Sequence, residues 1–331
     1  MVIFKNAATM LIKLLLLSTV VATTYLLLFF YSYDYEKYNY SYYPALLNKI
    51  SLIENTPSPK IIFVGGSNIV YGLDSDLISR KTGLPVINMG LTAALGLKFM
   101  LDQVKPYLKR NDLVVIVPEY HHFVGNFLCG NNELLLASEI LGDYSMALTH
   151  PAPEIIYYLL EQNKRIQGYI FTIAIKCLPK AIEKSLLVIT DNPSSPLTQY
   201  NSHGDIILHD NEKKQKHIDS YPIDGKINNA SIKYLADFSS DNKTKNITTL
   251  FMFPALQKKY YMIHKDIIQK IACAIKNAGI TIISSPEDFL YDDGDMYDTI
   301  YHLDEKGKKI RTDMVLVKLN NFTHNSIPAR P

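Results

Sequence analysis

The stretch Ile61-Ile62-Phe63-Val64-Gly65-Gly66-Ser67-Asn68, continuing to Asp74, constrains the chain more than any other. An apolar run of strand length ends at a glycine pair and a hydroxyl, and helix-compatible sequence follows at once. A strand entering a helix through so tight a turn is the building unit of α/β folds. Glycine permits the backbone angles the turn needs, and the helix start leaves N–H groups beside the serine. Two roles fit Ser67: a nucleophile, which needs exposure and a nearby oxyanion donor, or a helix cap, a position that serine favours.

The same alternation recurs along the chain. Apolar strands are predicted over 84–88, 112–117, 247–253 and 280–283. A helix over 93–108 would carry Leu97, Met100, Leu101, Val104 and Leu108 on one stripe, and one over 259–277 would carry Ile263, Ile267, Ile268, Ile271 and Ile275. Shorter helices are predicted over 44–53 and 74–81, and a final one over 304–319. Short apolar strands between helices demand a parallel sheet covered on both faces. The predicted fold is therefore an α/β three-layer sandwich with a doubly wound, parallel five-stranded sheet of flavodoxin-like type. Its strands lie near Ile61, Val86, Val114, Leu250 and Ile282, with Ser67, Gly90 and Tyr120 at their C-terminal ends.

The pattern loosens over 121–246. Helices are predicted at 133–141 and 154–187, 191–221 has loop composition, and a turn at 201–205 leads into a short strand at 206–208. Such an insertion is either a lid and substrate wall or a packing subdomain.

At the N-terminus, Lys5 and Lys13 precede an apolar run over 14–31. That length is close to the ~20 residues that cross a bilayer as a helix. A cleaved signal peptide would use the small residues Val20-Val21-Ala22, but the apolar run continues beyond them, which favours an uncleaved anchor. The basic residues place the N-terminus in the cytoplasm and the remainder outside, periplasmic or at the cell surface. The tyrosine-rich 31–43 suits a membrane interface or a stalk. The organisation read from the sequence is an anchor over 1–31, a linker over 32–59, an α/β domain over 60–319 and a tail over 320–331.

With 34 basic and 32 acidic residues, net charge +2, no global field points to nucleic acid. His121-His122 are adjacent rather than helically spaced, and His203, His209 and His217 fall in loop-like sequence, so no metal is expected. Asp292-Asp293-Gly294-Asp295 lacks the spacing of a calcium loop. No phosphate-binding glycine motif beyond Gly65-Gly66 occurs, so no cofactor is expected.

Ser67, then Gly90 after the second strand, then Asp298 and His302 before the last helix, resemble in order the blocks of the SGNH (GDSL-like) hydrolase superfamily. The resemblance spans about 60–317. It implies Ser67 as nucleophile, His302 as base, Asp298 as its orienting carboxylate, and the N–H groups of Ser67 and Gly90 as the oxyanion hole. Two features depart from the pattern. No asparagine follows the third strand, where Pro118-Glu119-Tyr120-His121-His122 stands, and the acid-base spacing is Asp-x-x-x-His, one residue longer than usual. Positions four apart share a face on a helical turn, so the pair can still act together. Asn68, Tyr120 and His121 are the candidate replacements as substrate or oxyanion contacts. With the anchor, the resemblance implies an extracytoplasmic serine esterase or O-acyltransferase acting on acyl esters of envelope or exported polysaccharide. Its partners would be an acylated carbohydrate or other ester and the membrane. The alternative is a catalytically silent SGNH-like domain that binds glycan or scaffolds a membrane assembly.

Overall fold

The computed structural model describes residues 2–39, 43–131, 133–143, 145, 164, 167, 200–207 and 218–326. The chain divides into two compact units, Met1–Ser41 with Ala152–Pro196, and Tyr42–Pro151 with Leu197–Pro331. In the first, helix α1 (Val2–Asn39) contains the segment Thr9–Leu27, of mean hydropathy 2.0 and with none of it buried. At 1.5 Å per residue that segment is ~28 Å long, enough to cross a hydrocarbon core. Two of its hydroxyls, those of Ser18 and Thr19, are satisfied within the helix by donating to the Leu15 carbonyl at 2.8 Å. Of the helix predicted over 154–187, only residues 164 and 167 are among those described, and both are helical.

The second unit begins with α2 (Ala45–Asn55), then β1 (Ile61–Gly65), the single turn α3 (Ser67–Val70), α4 (Ser75–Thr82) and β2 (Val86–Asn88). There follow α5 (Gly96–Asp102), β3 (Leu113–Val117), α6 (Glu133–Leu141), α7 (Asn229–Thr244) and β4 (Thr248–Phe251). The unit closes with β5 (Leu256–Gln257), α8 (Lys258–Asn277), β6 (Leu290–Tyr291) and α9 (Glu305–Ser326). The main sheet is parallel, in the order β2-β1-β3-β4, and β5 and β6 form a separate parallel pair. Ile62 is level with Ile87 and Val114, and Val115 with Leu250.

Strand alternation divides the core into two layers. Ile62, Val64, Val114 and Ile116 pack with Leu101 of α5, Leu235 of α7 and Ile271 of α8. Ile61, Phe63, Val115 and Val117 pack with Ile78 of α4 and Val315 and Leu319 of α9. Helices therefore cover both faces.

Several sequence expectations are corrected. The fifth strand is a single parallel bridge, Phe251 to Ile282, because the chain enters from Gly279 in the left-handed region and leaves at once. Ser284 accepts the Phe253 N–H, and Ser285 caps the next turn. The helix over 93–108 is broken into a 3-10 turn, α5 and a second turn, since Gly96 adopts φ +79° and Pro106 supplies no N–H. The helix predicted over 44–53 is present as α2, and it buries Ala45, Leu46, Lys49 and Ile53. Within the stretch taken as insertion, α7 is a core element burying Ile232, Leu235 and Phe238, its N-terminus capped by Asn228 Oδ1. The short strand over 206–208 shows one antiparallel bridge, Tyr200 to Ile206, with Leu208 outside the described residues.

Candidate active site

β1 delivers Gly66 and Ser67 to the C-terminal edge of the sheet. A Cβ on Gly66 would lie 2.4 and 2.6 Å from the two carboxylate oxygens of Glu119 and 2.8 Å from the Ala93 nitrogen. Only glycine lets these three segments meet beneath the serine. Ser67 opens α3, and four residues on, Tyr71 closes that turn with its N–H on the Ser67 carbonyl at 3.0 Å.

Asp298 and His302 come from the loop before α9. The pair does not sit on a helical turn, as their spacing suggested; the loop is irregular and is held by its own contacts. Thr299 Oγ1 accepts the N–H of Tyr301 and of His302, both at 3.2 Å, and Met296 bridges Leu303. Asp219 pairs with the same loop, its N–H on Asp298 O at 2.8 Å and its carbonyl receiving Ile300 N–H at 3.0 Å. His302 Nδ1 lies 2.6 Å from Asp298 Oδ1 and His302 Nε2 lies 2.7 Å from Ser67 Oγ. A carboxylate only accepts, so Nδ1 carries the proton and Nε2 is the acceptor for the serine hydroxyl. Tyr71 lies flat on the imidazole, centroids 4.0 Å apart and planes 8° from parallel, and stacks in turn on Tyr297. Ser67, His302 and Asp298 thus form one hydrogen-bonded chain from residues over 230 positions apart in sequence.

The other predicted residues divide. Gly90 is beside the site, but its N–H donates to Asn88 Oδ1 at 3.0 Å, so it is not a free oxyanion donor. Ala93 is a second backbone N–H at this edge of the sheet. It begins the 3-10 turn Ala93–Leu95, where the first N–H has no intrahelical acceptor, and it abuts Gly66. Asn68 is fully buried and cannot touch substrate. Its Nδ2 donates to Val117 O at 2.8 Å, and Arg311 of α9 donates to its carbonyl at 2.7 Å and its Oδ1 at 3.1 Å. Tyr120 also turns inward, stacking on Phe253 in the core. Burial raises its phenol well above the usual range. His121 does reach the site. Burial, and secondarily His122, hold its pKa well below the ordinary histidine value, so the ring is neutral.

Ser67 and His302 open on a cavity of about 460 Å³. Its walls include Ala93 and His121 and the rings of Tyr71, Phe127, Tyr200, Tyr221 and Tyr301. Among the described lining residues there is no lysine or arginine, and the one carboxylate, Glu133, receives the Tyr43 hydroxyl. The residues that sequence reasoning missed are Tyr71, Ala93, Glu119, His122 and Arg311. Tyr71 was legible only as the fourth residue after the serine, and a buried arginine has the same appearance in sequence as an exposed one.

No family model and no curated protein matches the chain. Among solved structures, one similar chain is a protein assigned to the G-D-S-L lipolytic family from Desulfitobacterium hafniense DCB-2. It is 9% identical, with 79% of this chain and 99% of that chain covered and a TM-score of 0.36. At that score the fold rests on the sheet order and layers, and the site on its own distances.

Proposed function

We propose that this chain is an SGNH-type serine esterase or O-acyltransferase, membrane-anchored by α1, acting outside the cytoplasm on acyl esters of envelope or exported polysaccharide. The observation that carries the reading is the hydrogen-bonded sequence Asp298, His302, Ser67, at 2.6 and 2.7 Å, opening on a cavity. Ser67 Oγ attacks the ester carbonyl while its proton passes to His302 Nε2, and Asp298 stabilises the imidazolium. The tetrahedral oxyanion is received by the N–H groups of Ser67 and Ala93. Collapse expels the alcohol, which takes the proton back from Nε2, and leaves an acyl group on Ser67. Water or a sugar hydroxyl then gives its proton to Nε2 and attacks the acyl carbon; the Oγ–acyl bond breaks, Nε2 returns the proton to Ser67 Oγ, and acid or the acylated sugar is released.

The cavity supports an uncharged ester. Its tyrosine and phenylalanine rings suit the apolar faces of a sugar, and no cation on its described walls would recruit an anionic one. Lys5, which precedes the apolar segment Thr9–Leu27, and Lys13, near the N-terminal end of that segment, support a cytoplasmic N-terminus. The test is a fluorophosphonate probe on the full chain, with hydrolysis of an acetyl ester measured in parallel. Labelling and turnover that both vanish in Ser67→Ala are expected. A wild-type chain that takes no label is instead a silent glycan-binding or scaffolding domain.

A further inference from the structure

Behind the serine, two buried side chains remain unaccounted for by that chemistry. Glu119 follows β3 in the place where the resembling family carries its asparagine, and it is 1% exposed. Its Oε1 accepts the Asn68 N–H at 3.1 Å, while Oε2 has no hydrogen-bond partner. His122, three residues on, is wholly buried. Its Nδ1 lies 3.0 Å from the Glu119 carbonyl and its Nε2 2.9 Å from the Ala93 carbonyl. Carbonyl oxygens only accept, and a neutral imidazole has only one N–H, so both contacts are satisfied together only when both ring nitrogens carry protons. The charge this requires has a counter-ion at hand, because Glu119 Oε2 is 3.7 Å from Nδ1.

We infer that Glu119 and His122 form a buried ion pair that holds the two backbone segments flanking the Ser67 hydroxyl, Asn68 through the carboxylate and Ala93 through the imidazolium. The inference rests on the esterase reading for its catalytic consequence only. Holding the Ala93 carbonyl restrains the residue whose backbone nitrogen abuts Gly66, and holding the Asn68 N–H fixes the peptide that follows the serine. The imidazolium also offsets a carboxylate that would otherwise oppose a developing oxyanion. Arg311, which grips Asn68 from the far side, is the other cation near Glu119, and the neutral ring of His121 lies 4.5 Å from that of His122. Both residues are positioning residues, since neither lines the cavity.

The experiment uses the full chain in detergent micelles, labelled with ring-¹⁵N histidine, with a His122→Asn variant to assign the signals. At neutral pH, both His122 nitrogens are expected in the protonated, pyrrole-type range, and Glu119→Gln is expected to lose that signature. Glutamine retains an acceptor for Asn68 but removes the charge. With small displacements of the donors, kcat should fall about 10- to 100-fold. KM should change by no more than about twofold, because substrate contacts are untouched. A pyridine-type nitrogen on His122 in the wild-type chain overturns the pair, and so does an unchanged kcat in a folded Glu119→Gln variant. A wild-type chain without ester turnover refutes the proposed function instead, and the pair then stands or falls on the His122 signature alone.

Discussion

Replacing Arg311 by methionine separates two opposing energies. The guanidinium is fully buried, donates to Asn68 O at 2.7 Å and Asn68 Oδ1 at 3.1 Å, and lies 5.5 Å from the centre of the Phe289 ring. Each charge-assisted bond contributes ~1.5–3 kcal/mol, and the ring contact contributes ~1 kcal/mol. Against this, burial lowers the pKa from 12.5 to about 10. That shift, burial opposed by the charges of Tyr291 and Glu119, corresponds to a net ~3 kcal/mol against the charged form. The group is charged in folded and unfolded chains alike below that value, so at neutral pH the penalty is fully present, and methionine removes it. The bonds win by ~1–4 kcal/mol, which lowers the thermal midpoint by ~3–10 °C. With Asn68 released, the peptide after Ser67 shifts, and kcat should drop at least about tenfold. Calorimetry and ester hydrolysis on the same detergent-solubilised preparation measure both effects. A methionine variant with wild-type midpoint and wild-type kcat would refute the claim that α9 sets the geometry of the nucleophile.

Ser67→Ala and His302→Ala should each remove nearly all ester turnover, with little further loss in the double variant, and Asp298→Asn should leave a fraction. Thermal midpoints of the three should stay close to wild type, since His302 and Asp298 are partly exposed, at 12% and 20% of their side chains. Gly66→Ala drives a methyl onto Glu119 and Ala93, and differential scanning fluorimetry should show a loss of at least ~2 kcal/mol together with lost probe labelling. Lys49, whose Nζ donates to Asn88 O and Gly204 O, has its pKa lowered by burial to about 7, partly offset by Asp205. The unfolded chain therefore binds more protons between that value and 10.5, so its contribution to stability rises with pH across this window. Urea titrations should show that rise flattened in Lys49→Met. For topology, protease added to cells stripped of outer barriers should digest the domain while sparing α1, and protection of the domain would reverse the assigned orientation.

What the sequence exposes is whatever depends on periodicity or on a short local turn. β1 and its serine, the parallel alternation, and the Asp298–His302 pair all have such signals. The failures share one cause: they depend on what a residue meets across the fold. Asn68 reads as a polar neighbour of the nucleophile, yet Arg311, 243 positions away, turns it inward. Gly90 reads as an oxyanion donor, yet the side chain of Asn88, two residues earlier, takes its N–H. Tyr120 stands at the end of a strand where ligands bind, but the 3-10 turn Tyr120–Phe123 points it at Phe253 and gives the cavity to His121. The fifth strand had the right composition, and Ser284 and the cap at Ser285 drew it out of the ladder after one residue.

The flat contact of Tyr71 on His302 has an optical consequence. The chain contains 23 tyrosines and no tryptophan, so one indole introduced by Tyr71→Trp would be its only indole fluorophore, excited and emitting at longer wavelength than the tyrosines. Lying on the imidazole at a ring separation near the present 4.0 Å, that indole would be quenched by an imidazolium and bright over a neutral ring. Its emission would follow the proton on His302 in real time through the cycle, from a reporter already resting on the base.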